Sequence, residues 1–220
     1  MDRSARSAFW VEFINREKLK SVTEIGVWRG MFAQHILSHC PSIERYYLVD
    51  PWRHLDNWNK PLNRSDDVFA QAFAEARERV APWSEKCTFL RGATVEVDLP
   101  QVDFTYIDGD HSLRGITIDL VRAWPRTKWL GGDDFGRIWQ HSEDFEPSLV
   151  NPAAAHFAEA VGERFEVFGN QFLIGGEGGF DYRGDTRLLP HLQRRRAPLL
   201  KRIARRLLRY WEMAGQAPPA

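Results

Sequence analysis

The sequence predicts an α/β fold, a mostly parallel sheet with helices on both faces and an antiparallel hairpin at its C-terminal end. Three observations carry this. Short apolar, β-branched runs alternate with amphipathic stretches from Val22 to Trp124, the pattern of a sheet built by crossover helices. The first run stops on Gly26 and Gly30 and passes into a helical pattern, as the opening unit of a nucleotide-binding sheet does. Finally, Arg164–Phe168 and Gln171–Ile174 alternate about Gly169-Asn170, the mark of a hairpin.

Each element follows from a local pattern. Ala8, Val11, Phe13, Ile14 and Leu19 fall at helical spacings, which places an N-terminal helix over an edge of the core within residues 1–20. Val22–Val27 is the first strand with its turn. Gly26 lets the backbone turn sharply and approach a ligand, and Gly30 lets the following helix, Met31–Leu37, pack against the strand. Pro41 ends that helix. His35 and His39 stand i, i+4 on it without a third ligand, so they read as surface residues rather than a metal pair.

Tyr46–Asp50 is the second strand. Its terminal carboxylate stands where a ribose diol would be gripped, because a carboxylate accepts the two hydrogen bonds a diol donates; the alternative is a cap on the turn before Pro51. Pro51–Asn63 is irregular and aromatic, either a flap over a ligand or a seal on the core. Asp66–Val80 is an amphipathic helix, and Cys87–Leu90 is the third strand with Arg91-Gly92-Ala93-Thr94 as its exit. The fourth strand, Val102–Ile107, delivers Asp108-Gly109-Asp110-His111 to its carboxyl end, where open parallel sheets bind ligands. Leu113, Ile116, Leu120, Val121 and Trp124 mark a helix stopped by Pro125. Lys128–Gly132 is a short fifth strand whose exit carries Asp133-Asp134-Phe135.

Over residues 21–175 these features resemble the class I S-adenosylmethionine-dependent methyltransferases. Glu24-Ile25-Gly26-Val27-Trp28-Arg29-Gly30 looks like the family's E-x-G-x-x-x-G loop under the methionine part of the cofactor. Asp50 is similar to its ribose-binding acid. Tyr106-Ile107-Asp108-Gly109-Asp110-His111-Ser112 resembles the fourth-strand signature of a subgroup with small-molecule and antibiotic-sugar O-methyltransferases. The resemblance implies a Rossmann-like methyltransferase domain over residues 21–190, with S-adenosylmethionine held by Glu24, Gly26, Gly30, Asp50, Gly92 and Asp108.

It also implies a magnesium ion on Asp108, Asp133 and Asp134, the positions that hold one in the family's metal-dependent members. A hard cation takes carboxylate oxygens and would stabilise an acceptor alkoxide. The same Asp133-Asp134 pair can instead serve as turn or cap residues. His111 and Asp108 are the candidate catalytic residues, His111 as general base because imidazole titrates near neutral pH. The competing role for His111 is to hold the fourth-strand loop. Two features depart from the family pattern: Trp28 is bulky inside the glycine loop, and Arg91–Thr94 supplies no acid for the adenine amino group.

At 220 residues the chain suits one well-cored domain, and its 43% hydrophobic and 27% charged content argues against both disorder and a membrane-embedded fold. No apolar run reaches the roughly 18 residues of a membrane span, and no signal peptide is visible, so a cytoplasmic location is expected. Cys40 and Cys87 have no CxxC spacing and read as ordinary thiols. Residues 191–220 hold eight of the 30 basic residues and one of the 30 acidic ones, which leaves a mildly acidic body and a basic tail. Within it, 194–211 has the pattern of a basic amphipathic helix that could meet an anionic membrane surface, nucleic-acid phosphates, a partner subunit of a homo-oligomer, or its own domain. The last residues are expected to be disordered. The acidic body argues against a long phosphate-tracking groove for nucleic acid.

The expected activity is methyl transfer from S-adenosylmethionine to a hydroxyl of a small molecule or sugar, with magnesium assistance. An NAD(P)-dependent oxidoreductase shares the glycine turn and the second-strand acid, but this chain lacks the G-x-G-x-x-G spacing. A non-enzymatic nucleotide-binding or membrane-attached accessory protein would use the tail as its working part.

Overall fold

The computed structural model describes residues 3–56, 58, 62–136 and 148–176. Its helices are α1 (Arg3–Arg16), α2 (Met31–His39), α3 (Asp66–Val80), α4 (Leu113–Ala123) and α5 (Val150–Val161). Its strands are β1 (Ser21–Ile25), β2 (Arg45–Asp50), β3 (Cys87–Arg91), β4 (Val102–Ile107), β5 (Thr127–Gly132), β6 (Phe165–Phe168) and β7 (Gln171–Gly175). They form one seven-stranded sheet in the order β3-β2-β1-β4-β5-β7-β6. The first five strands of that order run parallel, and β7 lies antiparallel between β5 and β6. The expected parallel sheet with a terminal hairpin is therefore present, and the hairpin joins it through its second strand.

This order positions the site. β1 and β4 are neighbours, yet the chain runs outward from β1 through β2 and β3 before returning to β4 on the other side. The chain leaves β1 and β4 toward helices on opposite faces of the sheet, α2 and α4, which makes their carboxyl ends the switch point where open α/β sheets bind ligands.

Both faces of the sheet are covered, and all five residues of β1 are buried. One core cluster packs α1, α2 and α3 through Trp10, Phe13, Ile36 and Ala72. The other packs α4 and α5 against the opposite face through Ile116, Leu120, Ala154 and Phe157.

The N-terminal helix is more than an edge cover. Trp10, Phe13 and Ile14 are wholly buried. The Trp10 ring lies against Gly131 of β5, where a Cβ would stand 2.3 Å from the ring, so only a glycine lets the helix settle there. Gly30 also acts differently from its expected role of helix-on-strand packing. It opens α2 with a left-handed φ of 74°, and a Cβ on it would lie 3.0 Å from the Ala76 Cα of α3. The close approach it permits is helix on helix.

Helix α5 has no counterpart in the sequence reading. Its buried face is mostly alanine, Ala153, Ala154, Ala155 and Ala158 around Phe157, so no stripe of large apolar residues announces it. Its available signals are Pro152 in the first turn and Gly162 in the left-handed region at its end. In the aromatic stretch after β2, Trp52 is buried against Phe73 and Phe89 and seals the core. Among the described residues no helix is long and apolar enough to cross a membrane. The basic segment 194–211 and the chain's end lie outside the described residues.

Candidate functional site

The floor of the crevice is built from the exits of β1, β2 and β3. Gly26, with φ 88°, donates its N–H to the Val49 carbonyl at 2.9 Å. A Cβ on Gly26 would stand 2.2 Å from the Asp108 carbonyl oxygen, so the β1 turn and the β4 exit touch through backbone alone. Asp50 ties the rest together. Its Oδ2 accepts from the N–H groups of Val27 and Trp28 at 3.0 and 2.9 Å, and its Oδ1 accepts from Trp52 N–H at 2.8 Å. A carboxylate has about four acceptor positions, so about one remains for a ribose hydroxyl. Burial pushes the Asp50 pKa up while the three N–H bonds oppose the shift. Gly92 N–H donates to the Asp50 backbone carbonyl at 3.1 Å, which attaches the β3 exit to the same node.

Backbone strain gathers here. Of the four non-glycine residues with positive φ among those described, Trp28 (53°), Trp52 (42°) and Asp134 (62°) lie in the exits of β1, β2 and β5. Left-handed backbone costs such residues roughly 1–2 kcal/mol, so its concentration at one end of the sheet points to a site. The bulk of Trp28 is accommodated because its ring turns edge-on to Phe69 at 5.5 Å, and its carbonyl accepts the Trp52 indole N–H at 2.8 Å.

Glu24 lies inside the sheet's α1–α3 face and is buried. Its Oε2 accepts the Tyr46 hydroxyl at 2.7 Å. Burial pushes its pKa up to about 8, so it is mostly uncharged at neutral pH. Its observed partner is thus a core tyrosine.

Acids do reach the β3 exit, although none lies within residues 91–94. Glu96 Oε2 accepts Ala93 N–H at 2.9 Å and its Oε1 pairs with Arg53, closing the turn. Asp119, from α4, accepts the Thr94 hydroxyl, and its Oδ2 lies 3.2 Å from where a Cβ on Gly109 would be. Burial pushes Asp119 up to about 7. Its trace in the sequence is one acid among the buried positions Ile116, Leu120 and Ala123 of α4.

The exits of β4 and β5 form the other half. His111 Nδ1 contacts Asp134 Oδ2 at 2.8 Å, and its Nε2 stands 3.3 Å from Asp108 Oδ1. Burial alone would lower its pKa, but the two carboxylates outweigh it and push the imidazole up to about 10. His111 therefore holds a proton at neutral pH, which is not the resting state of a general base. Burial raises the Asp108 pKa, opposed by His111.

Asp133 faces elsewhere. Its Oδ2 accepts from Arg6 of α1, and its Oδ1 accepts from Gln171 Nε2 and from Asp134 N–H, the last at 2.7 Å. Gln171 is itself fixed, its Oε1 accepting from Trp10 Nε1 at 2.8 Å and from the Tyr106 hydroxyl at 3.1 Å. Among the described residues no group of three or more His, Cys, Asp or Glu side chains is gathered as a metal would require. The expected magnesium set of Asp108, Asp133 and Asp134 does not fit the ion in this arrangement, because each carboxylate is engaged by a side chain of the protein. Sequence reasoning missed Arg6, Trp10 and Gln171 because nothing local links Arg6 to Asp133, 127 positions away, or Trp10 to Gln171, 161 positions away.

Comparison with known proteins adds a family. A model described as a methyltransferase domain matches residues 23–132, half of the chain. A Staphylococcus aureus protein described as a caffeoyl-CoA O-methyltransferase superposes with a TM-score of 0.58 at 13% identity, over 80% of this chain and 85% of that one. A methyltransferase from Podospora anserina bound to S-adenosylhomocysteine gives 0.54 at 13% identity, covering 81% and 80%. An O-methyltransferase from Bacillus cereus, also with S-adenosylhomocysteine, gives 0.54 at 12% identity, covering 79% and 80%. At such identities the likeness is one of fold. No curated protein matches the chain significantly.

Proposed function

Since the chain belongs to the class I S-adenosylmethionine-dependent methyltransferases, we propose that it transfers the donor's methyl group to a hydroxyl of a small molecule or sugar. The observation that carries this reading is the floor at the switch point, where Gly26 meets the β4 exit backbone and Asp50 ties the glycine loop to β2 and β3. In this reading the methionine end lies over Gly26–Gly30 near Glu24. A ribose hydroxyl takes the remaining acceptor position of Asp50, and the adenine lies by Gly92 with Asp119 as its nearby acid.

Transfer moves the methyl carbon from the sulfonium to the acceptor oxygen, the carbon–sulfur electron pair stays on sulfur, and the hydroxyl proton must leave. The Asp108–His111 pair suits that task. Asp108 supplies a carboxylate whose burial makes it a stronger base than an exposed aspartate, and the protonated His111 stands 3.3 Å from it as its counter-charge. The expected base role of His111 thus passes to the pair. Magnesium assistance would require Arg6 and His111 to release their carboxylates, and no step here uses it. We propose a cytoplasmic setting, in which the basic sequence pattern of 194–211 would suit an anionic surface.

The test is calorimetry with S-adenosylhomocysteine and, separately, NAD. Saturable binding of one S-adenosylhomocysteine per chain, lost in Gly26→Ala, is expected, with melting curves checking that the variant folds. Binding of NAD alone, or of neither ligand, would overturn the reading.

A further inference from the structure

At the exits of β4 and β5, three carboxylates each meet a basic side chain of the chain's own. Asp108 and Asp134 stand on either side of His111. Asp133 meets Arg6, which reaches in from the first turn of α1, 127 residues away in sequence. We infer that Arg6 is the resident cation of this site, held against Asp133 where a divalent metal would otherwise bind, and that α1 is a working wall of the acceptor pocket. The word acceptor rests on the methyl-transfer reading; the placement of the cation does not.

Three observations support the inference. First, Asp133 cannot simply turn toward a metal. Both of its oxygens are engaged, and its Gln171 partner is fully buried and fixed by Trp10 and Tyr106. Freeing the carboxylate would leave buried polar groups without partners. Second, Arg6 and Trp10 are i, i+4 on one helix face, so the ring seated over Gly131 sets where the guanidinium arrives. Its delivery is built into the packing of α1 on the sheet. Third, the Arg6 Nε is buried with no hydrogen-bond partner among the described residues. A guanidinium has five donors in a fixed fork and keeps its charge throughout the physiological range. A molecule bound at this end with a hydroxyl or carboxylate near its methyl-accepting group would supply the oxygen that this buried donor lacks.

The test is calorimetric titration of the full chain, freed of metal by chelator, with magnesium and manganese chlorides. Wild type and Arg6→Lys are expected to show no saturable binding up to millimolar ion. Arg6→Gln removes the charge, leaves Asp133 uncompensated, and should acquire manganese binding at least about tenfold tighter than wild type. One ion bound per wild-type chain and lost in Asp133→Asn would overturn the inference, and so would a folded Arg6→Gln with unchanged metal affinity. The wild-type arm needs no variant, so a misfolded Arg6→Gln leaves the inference testable. S-adenosylhomocysteine is titrated into the same samples. Intact binding of that ligand beside a metal-binding wild type sinks the cation assignment alone, whereas absent binding sinks the methyl-transfer reading alone.

Discussion

Glu24 shows how one buried side chain can govern stability against pH. An unfolded glutamate titrates near 4.5, and burial moves Glu24 to about 8 in the folded protein. Between those values the folded state binds more protons than the unfolded one, so stability is fully present below about pH 4.5 and is lost as pH rises toward 8. Asp119, raised to about 7, and His111, raised to about 10, act in the same direction over their own windows. Urea denaturation between pH 5 and 9 should therefore show falling stability, with Glu24 contributing a slope of at most about 1.4 kcal/mol per pH unit. In Glu24→Gln the slope should flatten below pH 8 while that from His111 persists. An unchanged slope would mean that Glu24 is ionised in the folded state.

The seating of α1 on the sheet depends on a pair that neither element reveals alone. Trp10 fills the space above Gly131, and the Phe13 and Phe104 rings meet it at 5.9 and 5.0 Å. Gly131→Ala puts a methyl group 2.3 Å from the Trp10 ring, so it should destabilise by about 1–3 kcal/mol. Repeated in a Trp10→Phe background, the same change should cost less by at least about 0.5 kcal/mol, because the smaller ring leaves room. Equal costs in the two backgrounds, measured by denaturation, would show that the helix does not depend on this contact. The same packing aims Arg6, so the structural and functional roles of α1 are not separable.

The whole molecule is a sheet whose centre is most protected and whose edges are least so. β1 is buried throughout and lies between β2 and β4, whereas β3 and β6 form the two edges. Burial on both faces and pairing on both sides should give β1 and β4 the slowest amide hydrogen exchange. β3 and β6 should exchange faster, by about tenfold or more. Exchange that is slowest in the β6–β7 hairpin would mean that the parallel core is not the most stable unit. S-adenosylhomocysteine should add protection chiefly at the β1 and β2 exits, where the proposed donor floor lies.

The order of strands and helices up to β5, the terminal hairpin and the glycine turn were all legible in the sequence. Each rests on local periodicity or on turn residues acting within a few positions. The same holds for the arrival of Asp50 and Asp108 at strand carboxyl ends. Local pattern could not show α5, whose alanines form no strong stripe, nor that Gly30 serves α3 rather than the strand. It also could not show which groups pair across long distances. Only tertiary structure places Arg6 on Asp133 and Gln171 beneath it, His111 between two carboxylates, and Asp119 at the β3 exit. The chain's own sequence thus determined where the candidate site lies, because strand ends are a local property. Which carboxylates remain free within it was decided by the fold, because partners of a buried charge are set by packing rather than by sequence neighbourhood.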